Sequence, residues 1–198
     1  MGTSDIGKII EPKDYNQTDI DDYIFHEDNE RIFFLIKAKT DEYCFTNTTF
    51  IHLDGTSAMS KKRTLHRYPY KHYPISHVLL ETAGTVDRDV EIKFNLGGTH
   101  FSIDIEKTQI EKVRDLYKAL FSIGEATKEI ERQMNTLTLT QQAVNSMFSL
   151  REMPEQILLN LPDIITQTTL QVSTSFTERR KQIENYDFSA IFERYLKQ

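Results

Sequence analysis

Between Gly55 and Leu80 the chain carries no acidic residue, while Lys61, Lys62, Arg63, Arg67 and Lys71 supply positive charge. His66, His72 and His77 add to it at lower pH. On a protein whose formal charge is -6, this stretch is the candidate site for an anion, a phosphate-bearing headgroup or an acidic protein. Strand alternation puts Lys61, Arg63 and Arg67 on one face and Lys62 on the other. Two plainer readings stand beside it: a solvated hairpin, or a surface that pairs with an acidic neighbouring subunit. Asp87, Asp89 and Glu91 imitate the opening of a calcium loop, but Ile92 stands where the sharp-turn glycine is needed, so they read as the outer face of a strand. The histidines and Cys44 show no zinc-type spacing, and Cys44, between Tyr43 and Phe45, reads as a small core or interface residue. Gly97 and Gly98 make a hairpin turn, not a phosphate cradle, because no helix follows them directly. No nucleophile elbow or P-loop is present, and the sequence implies no catalytic residue, metal or cofactor.

Composition sets the background for these residues. A chain of 198 residues that is 38% apolar, with 12 Phe and 9 Tyr, is large enough for a real core. Its negative charge excludes a general attraction to nucleic acid or an anionic membrane. No run approaches the roughly 18 apolar residues of a membrane span, and the polar opening lacks a signal peptide's apolar segment, so the expected location is the cytoplasm. A single cysteine permits no intrachain disulfide.

The elements that must position the basic stretch lie between Arg31 and Ser122. Alternating apolar runs predict strands at 31–39, 43–47, 49–53, 61–68, 75–83, 87–96 and 99–105, punctuated by Asp54-Gly55, Gly84 and Gly97-Gly98. In the sixth, Val90, Ile92 and Phe94 alternate with Asp89, Glu91 and Lys93, which predicts one buried and one wet face. A helix follows, with Thr108 and Glu111 as a capping box, an apolar face of Ile110, Val113, Tyr117, Leu120 and Phe121, and Gly124 as its stop. The outline is a small barrel closed by a helix, complete by Phe121, so a chain ending at Gly124 is expected to fold. Residues 1–30 are an acidic lead read as a solvated arm or short helix, with Tyr23, Ile24 and Phe25 able to dock on the barrel.

Several linked motifs carry a resemblance. FTNTTFIHLDG, SKKRTLHRYPY, SHVLLETAG and TVDRDVEIKF, in this order and followed by a helix, resemble the bacterial pleckstrin-homology-like family over about residues 31–122. Thr48 and Thr49 stand where that family usually has a basic pair, and Ser60 replaces the glycine before Lys61-Lys62. The resemblance implies an α+β fold: a PH-like barrel of seven antiparallel strands in two nearly orthogonal sheets, capped by a C-terminal helix. The domain expected is 31–124, with 125–198 as a helical oligomerisation extension similar to that of some relatives.

From Ile123 into 125–198, Ile123, Ile130, Leu137 and Val144 recur every seven residues, which favours a helix with a packing seam. TLTLT (136–140) and TTLQVSTSF (168–176) are rich in β-branched residues and favour strand. The absence of Gly and Pro from 125–150 decides for helix, with Pro154 as a helix start, Pro162 as a break or kink, and Asp187 capping a last helix. That last helix carries an apolar face of Phe188, Ile191, Phe192 and Tyr195. An amphipathic hairpin attached to a closed barrel must bury its seam somewhere, and a second copy is an available surface. Ile130, Leu137, Val144, Phe188, Ile191 and Phe192 are therefore the expected oligomerisation residues. The function expected is a non-enzymatic, homo-oligomeric scaffold or interaction module. The alternative is an anion or acidic-protein binding module built on the basic hairpin.

Overall fold

The computed structural model describes residues 6–55, 63–82, 89–147 and 161–196. Its strands form two antiparallel sheets. One takes β1 (Lys8–Ile9), β2 (Ile32–Lys37), β3 (Glu42–Thr46), β4 (Thr49–Gly55) and β5 (Arg63–Pro69), in that order. The other takes β6 (Ile75–Glu81), β7 (Asp89–Leu96) and β8 (Thr99–Glu106). All seven strands expected from alternation are present, because each has one face against a core and one face elsewhere.

The short β1 was not expected, and among the described residues the two sheets do not join into a closed barrel. Beside β1, Gly7 makes a parallel bridge to Ile105 on β8. Its N–H donates to Asp104 O at 2.8 Å and its carbonyl accepts from Glu106 N at 3.1 Å. The N-terminal segment thus stitches one sheet to the other at a single point. A side chain at Gly7 would not fit, since its Cβ would lie 2.6 Å from Ile36 Cγ2.

Alternation divides the side chains of the five-stranded sheet into two cores. On one face Phe45 and Phe50, directly paired across β3 and β4, meet Phe94 and Phe101, paired across β7 and β8, with ring centroids 4.8 to 5.8 Å apart. On the other face Leu35, Cys44, Ile51 and Leu53 are covered by Ile20 and Ile24. Ile20 and Ile24 come from the acidic lead, which winds through short 3-10 helical turns (Pro12–Gln17, Asp19–Tyr23, His26–Asp28). The lead is therefore a strap over the sheet rather than a solvated arm: two apolar side chains, four apart, outweigh the acidic residues around them.

After a 3-10 turn (Lys107–Gln109), α1 runs from Ile110 to Met147 and passes straight through Gly124. The glycine is required by packing and not by helix termination. A Cβ there would sit 2.8 Å from the carbonyl oxygen of Ile75 on β6. The buried face is Val113, Leu116, Leu120 and Ile123, whereas Phe121 is 52% exposed. TLTLT is helical, and its hydroxyls bond back one turn: Thr136 to Arg132 O at 2.9 Å, Thr138 to Met134 O at 3.0 Å, Thr140 to Thr136 O at 2.8 Å. These bonds occupy side chains that otherwise favour strand.

Helix α2 (Leu161–Glu184) includes the second β-branched run, and Pro162 is its second residue rather than a break, a position where a missing N–H costs nothing. Pro154 lies outside the described residues. A short α3 (Ser189–Tyr195) ends the described chain. The chain forms two compact units, Met1–Thr127 with Asp187–Gln198, and Lys128–Tyr186. The last helix belongs to the sheet unit because Phe192 stacks on Phe33 (centroids 4.9 Å apart) and Phe188 meets Tyr70 edge-on at 5.5 Å.

Candidate functional site

Of the basic stretch, Lys61 and Lys62 lie outside the described residues and Lys71 is exposed. Arg63 and Arg67 alternate on the strap side of β5. Arg67 Nη2 donates to both oxygens of Glu30 at 2.8 and 2.7 Å, Nη1 donates to Tyr23 O at 2.7 Å, and the guanidinium lies 4.2 Å from the centroid of Phe25. Glu30, 4% exposed, also accepts from Thr46 Oγ1 at 2.8 Å and Phe25 N at 2.9 Å. Burial pushes its carboxyl up, but these donors and the Arg67 charge outweigh burial and hold it below its ordinary value. Arg63 pairs with Asp19 and lies 3.8 Å from Glu42. Glu42, 1% exposed, accepts from Ile20 N at 3.0 Å and has Lys37 Nζ 2.7 Å from Oε1 as an ion contact outside hydrogen-bond geometry. Both arginines thus take their partners from within the chain, Asp19 and Glu30 of the lead among them.

Asn47, the last residue of the Phe-Thr-Asn motif, is a joint whose role its sequence does not reveal. It is 2% exposed. Its side chain accepts from Arg31 N at 2.8 Å and donates to Asp187 Oδ2 at 2.9 Å, while its carbonyl accepts from Phe188 N at 2.9 Å. Asp187 Oδ1 in turn accepts from Ser189 N at 2.6 Å at the start of α3. Burial raises the Asp187 carboxyl, yet the bonds from Ser189 and Asn47 and the charge of Arg31 keep it below its ordinary value. The Phe-Thr-Asn motif therefore has three structural duties: Phe45 fills the aromatic core, Thr46 holds the strap, and Asn47 ties down the last helix.

Among the described residues, one group combines a histidine with carboxylates at ligand spacing: Asp41, His52 and Asp54, whose ligand atoms all lie within 4.8 Å of one another. His52 and Asp54 are two apart on β4 and share a face, and Asp41 comes from the turn between β2 and β3. His52 is stacked on Tyr43 at 4.7 Å, and Nε2 lies 3.3 Å from Asp41 Oδ1. Burial lowers the imidazole's proton affinity against the opposing pull of Asp41. Sequence spacing does not reveal the group, because Asp41 is brought in by the preceding hairpin. In the calcium-like triplet, Asp87 lies outside the described residues, and Glu91 on β7 pairs with Lys93 at 2.9 Å and with Ser102. Cys44 is fully buried, and burial raises its thiol.

The expected oligomerisation residues separate into two sets. Phe188 and Phe192, 1% and 0% exposed, are part of the sheet unit's own core, with Ile191 half-buried beside them. Ile130, Leu137 and Val144 are half-buried along α1, and Leu139 and Leu170 are 65% and 67% exposed. Alongside α3, a cleft of about 390 Å³ is lined by Arg31, Ile32, Phe33, Glu193 and Leu196.

Two antiparallel sheets with a long helix after the last strand, and the Phe-Thr-Asn joint, are the features of a PH-like module. A family model described as the bacterial PH domain matches residues 1–124, and the chain belongs to that family. It is 53% identical over 197 residues to the uncharacterised protein YvbH of Bacillus subtilis (strain 168), covering 99% of this chain and 95% of that protein. Among solved structures, it resembles a PH-domain-containing protein from Exiguobacterium sibiricum 255-15 at 44% identity and TM-score 0.79, covering 96% of this chain and 99% of that one. The family match takes in the residues before β2, the strap among them, as well as the strands. No helix among the described residues is long and apolar enough to cross a membrane.

Proposed function

We propose that this protein is a binding and scaffold module, not an enzyme, and that it self-associates into a closed homo-oligomer through its helical unit. The observation that carries this reading is the disposition of apolar residues on α1 and α2. Ile130, Leu137 and Val144 share one face and are half-buried. Leu139, two residues beyond Leu137 and so on the far side of the helix, is 65% exposed, as is Leu170 on α2 at 67%. Apolar surface on two sides of a helix is more than one intrachain partner covers, and its burial against another copy contributes roughly 25 cal/mol per Å². A cyclic assembly satisfies every copy of such a surface at once.

Sedimentation velocity on the full chain tests it. The expected result is a species well above the 23.2 kDa monomer, shifted toward monomer by Leu139→Glu with Leu170→Glu while the melting of the sheet unit is retained. A full-length chain that sediments as a monomer at every concentration sinks the proposal.

A further inference from the structure

We infer that Asp41, His52 and Asp54 form a binding site for a divalent transition-metal ion of the zinc class. Three observations on the geometry support this. The ligand atoms lie within 4.8 Å of one another, and the His52 Nε2 to Asp41 Oδ1 separation of 3.3 Å is long for a charge-assisted hydrogen bond. That separation is also close to the edge of a tetrahedron with metal bonds of about 2.0–2.1 Å, which is about 3.3 Å, so an ion can replace the bond with little movement of this pair.

The ligands are also held before any ion arrives. His52 is clamped by its stack on Tyr43 at 4.7 Å, and Asp41 is oriented from both oxygens, Oδ1 accepting from Gly55 N at 3.2 Å and Oδ2 from Thr40 Oγ1 at 3.0 Å. Such outer contacts fix ligand orientation in metal sites. The third observation is the closeness of the supporting backbone. Ala38 N donates to Asp41 O at 2.8 Å to close the turn, and a Cβ at Gly55 would overlap the carbonyl of Thr40. That glycine lets the turn reach over the end of β4, which brings Asp41 to the His52 side of the sheet.

One imidazole and two carboxylates select the metal. Calcium and magnesium prefer all-oxygen sets of higher count, whereas zinc takes nitrogen and oxygen together in four-coordinate sites. Three protein ligands leave one position open, so the bound ion would carry a water or an exogenous donor.

The test uses tag-free, chelator-treated full-length protein titrated with zinc by calorimetry, with cobalt absorption as a second readout. One saturable site is expected, with cobalt bands that lack thiolate charge transfer. His52→Gln and Asp54→Asn should each abolish it, and Thr40→Val, which removes only the outer contact, should weaken it by about tenfold. Each variant's far-ultraviolet circular dichroism is compared with the wild type to separate loss of a ligand from loss of fold, and Asp54→Asn on a half-buried strand end is the gentler change. The inference is overturned if zinc shows no saturable binding, if folded His52→Gln and Asp54→Asn bind as the wild type does, or if only calcium binds.

Discussion

Arg67 is held by its own chain on several sides: two bonds to Glu30, one to the carbonyl of Tyr23, and the ring of Phe25 beneath. Removing one member of a buried pair leaves the other charged and poorly solvated, which costs about 3–5 kcal/mol, whereas replacing both is close to neutral. Arg67→Met should therefore lower the urea-unfolding free energy by about that amount, and Arg67→Met with Glu30→Gln should recover most of it. A double-variant loss equal to the sum of the two single-variant losses would show that the pair is not coupled. The carboxyl also fixes a pH dependence. Its folded proton affinity is depressed below the ordinary value of 4.5, so its contribution is fully present above that pH and disappears as pH falls through the lower folded value. The stability gap between wild type and Glu30→Gln should narrow as pH is lowered below 4.5, measured by thermal melts in a pH series. Sequence alone displayed both charge runs but not their meeting, because the strap and β5 are far apart along the chain and only the tertiary path brings Arg67 to Glu30.

Elements were legible where the signal is local. The strands between Ile32 and Glu106 alternate because each stands between a core and a second environment, and that pattern survives without knowledge of partners. The hidden signals are those in which a residue type has two uses. Gly124 reads equally as a helix stop or as a place where a helix touches backbone, and the close approach to Ile75 O settles it. The conflict yields a prediction in which two effects oppose. Alanine in a helix interior is favoured over glycine by about 0.8–1.0 kcal/mol, but overpacking against a rigid backbone costs about 1–3 kcal/mol. Gly124→Ala should lower the urea midpoint, while Ala126→Gly, a half-buried neighbour on the same helix, should lower it through propensity alone by about 0.8–1.0 kcal/mol. A stabilised Gly124→Ala would show that α1 shifts to accommodate the methyl group. The threonines of TLTLT make the same point, since a residue type favoured in strands also fits a helix, where its hydroxyl bonds the carbonyl one turn back.

At the scale of the molecule, the sheet unit is made from both ends of the chain: it runs to Thr127, the chain departs through the helical unit, and it resumes at Asp187. No local pattern announces that return. The face of Phe188, Ile191 and Phe192 is amphipathic in sequence whether its partner is another subunit or the chain's own β2, and only the stack on Phe33 and the edge contact with Tyr70 distinguish the two. The same contacts argue against independent folding of a chain that ends at Gly124. Truncation there removes two phenylalanines that are 1% and 0% exposed, together with the Asp187 and Phe188 partners of Asn47. Each buried phenylalanine is worth about 3–5 kcal/mol against alanine, and the pair approaches the whole 5–15 kcal/mol by which a domain is ordinarily stable. The truncated protein should show no cooperative melt and weakened near-ultraviolet dichroism. Phe192→Ala in the full chain should remain folded but lose about 3–5 kcal/mol in urea titration. A truncated chain that melts cooperatively within a few degrees of the wild type would mean that α3 packs on a unit already complete without it.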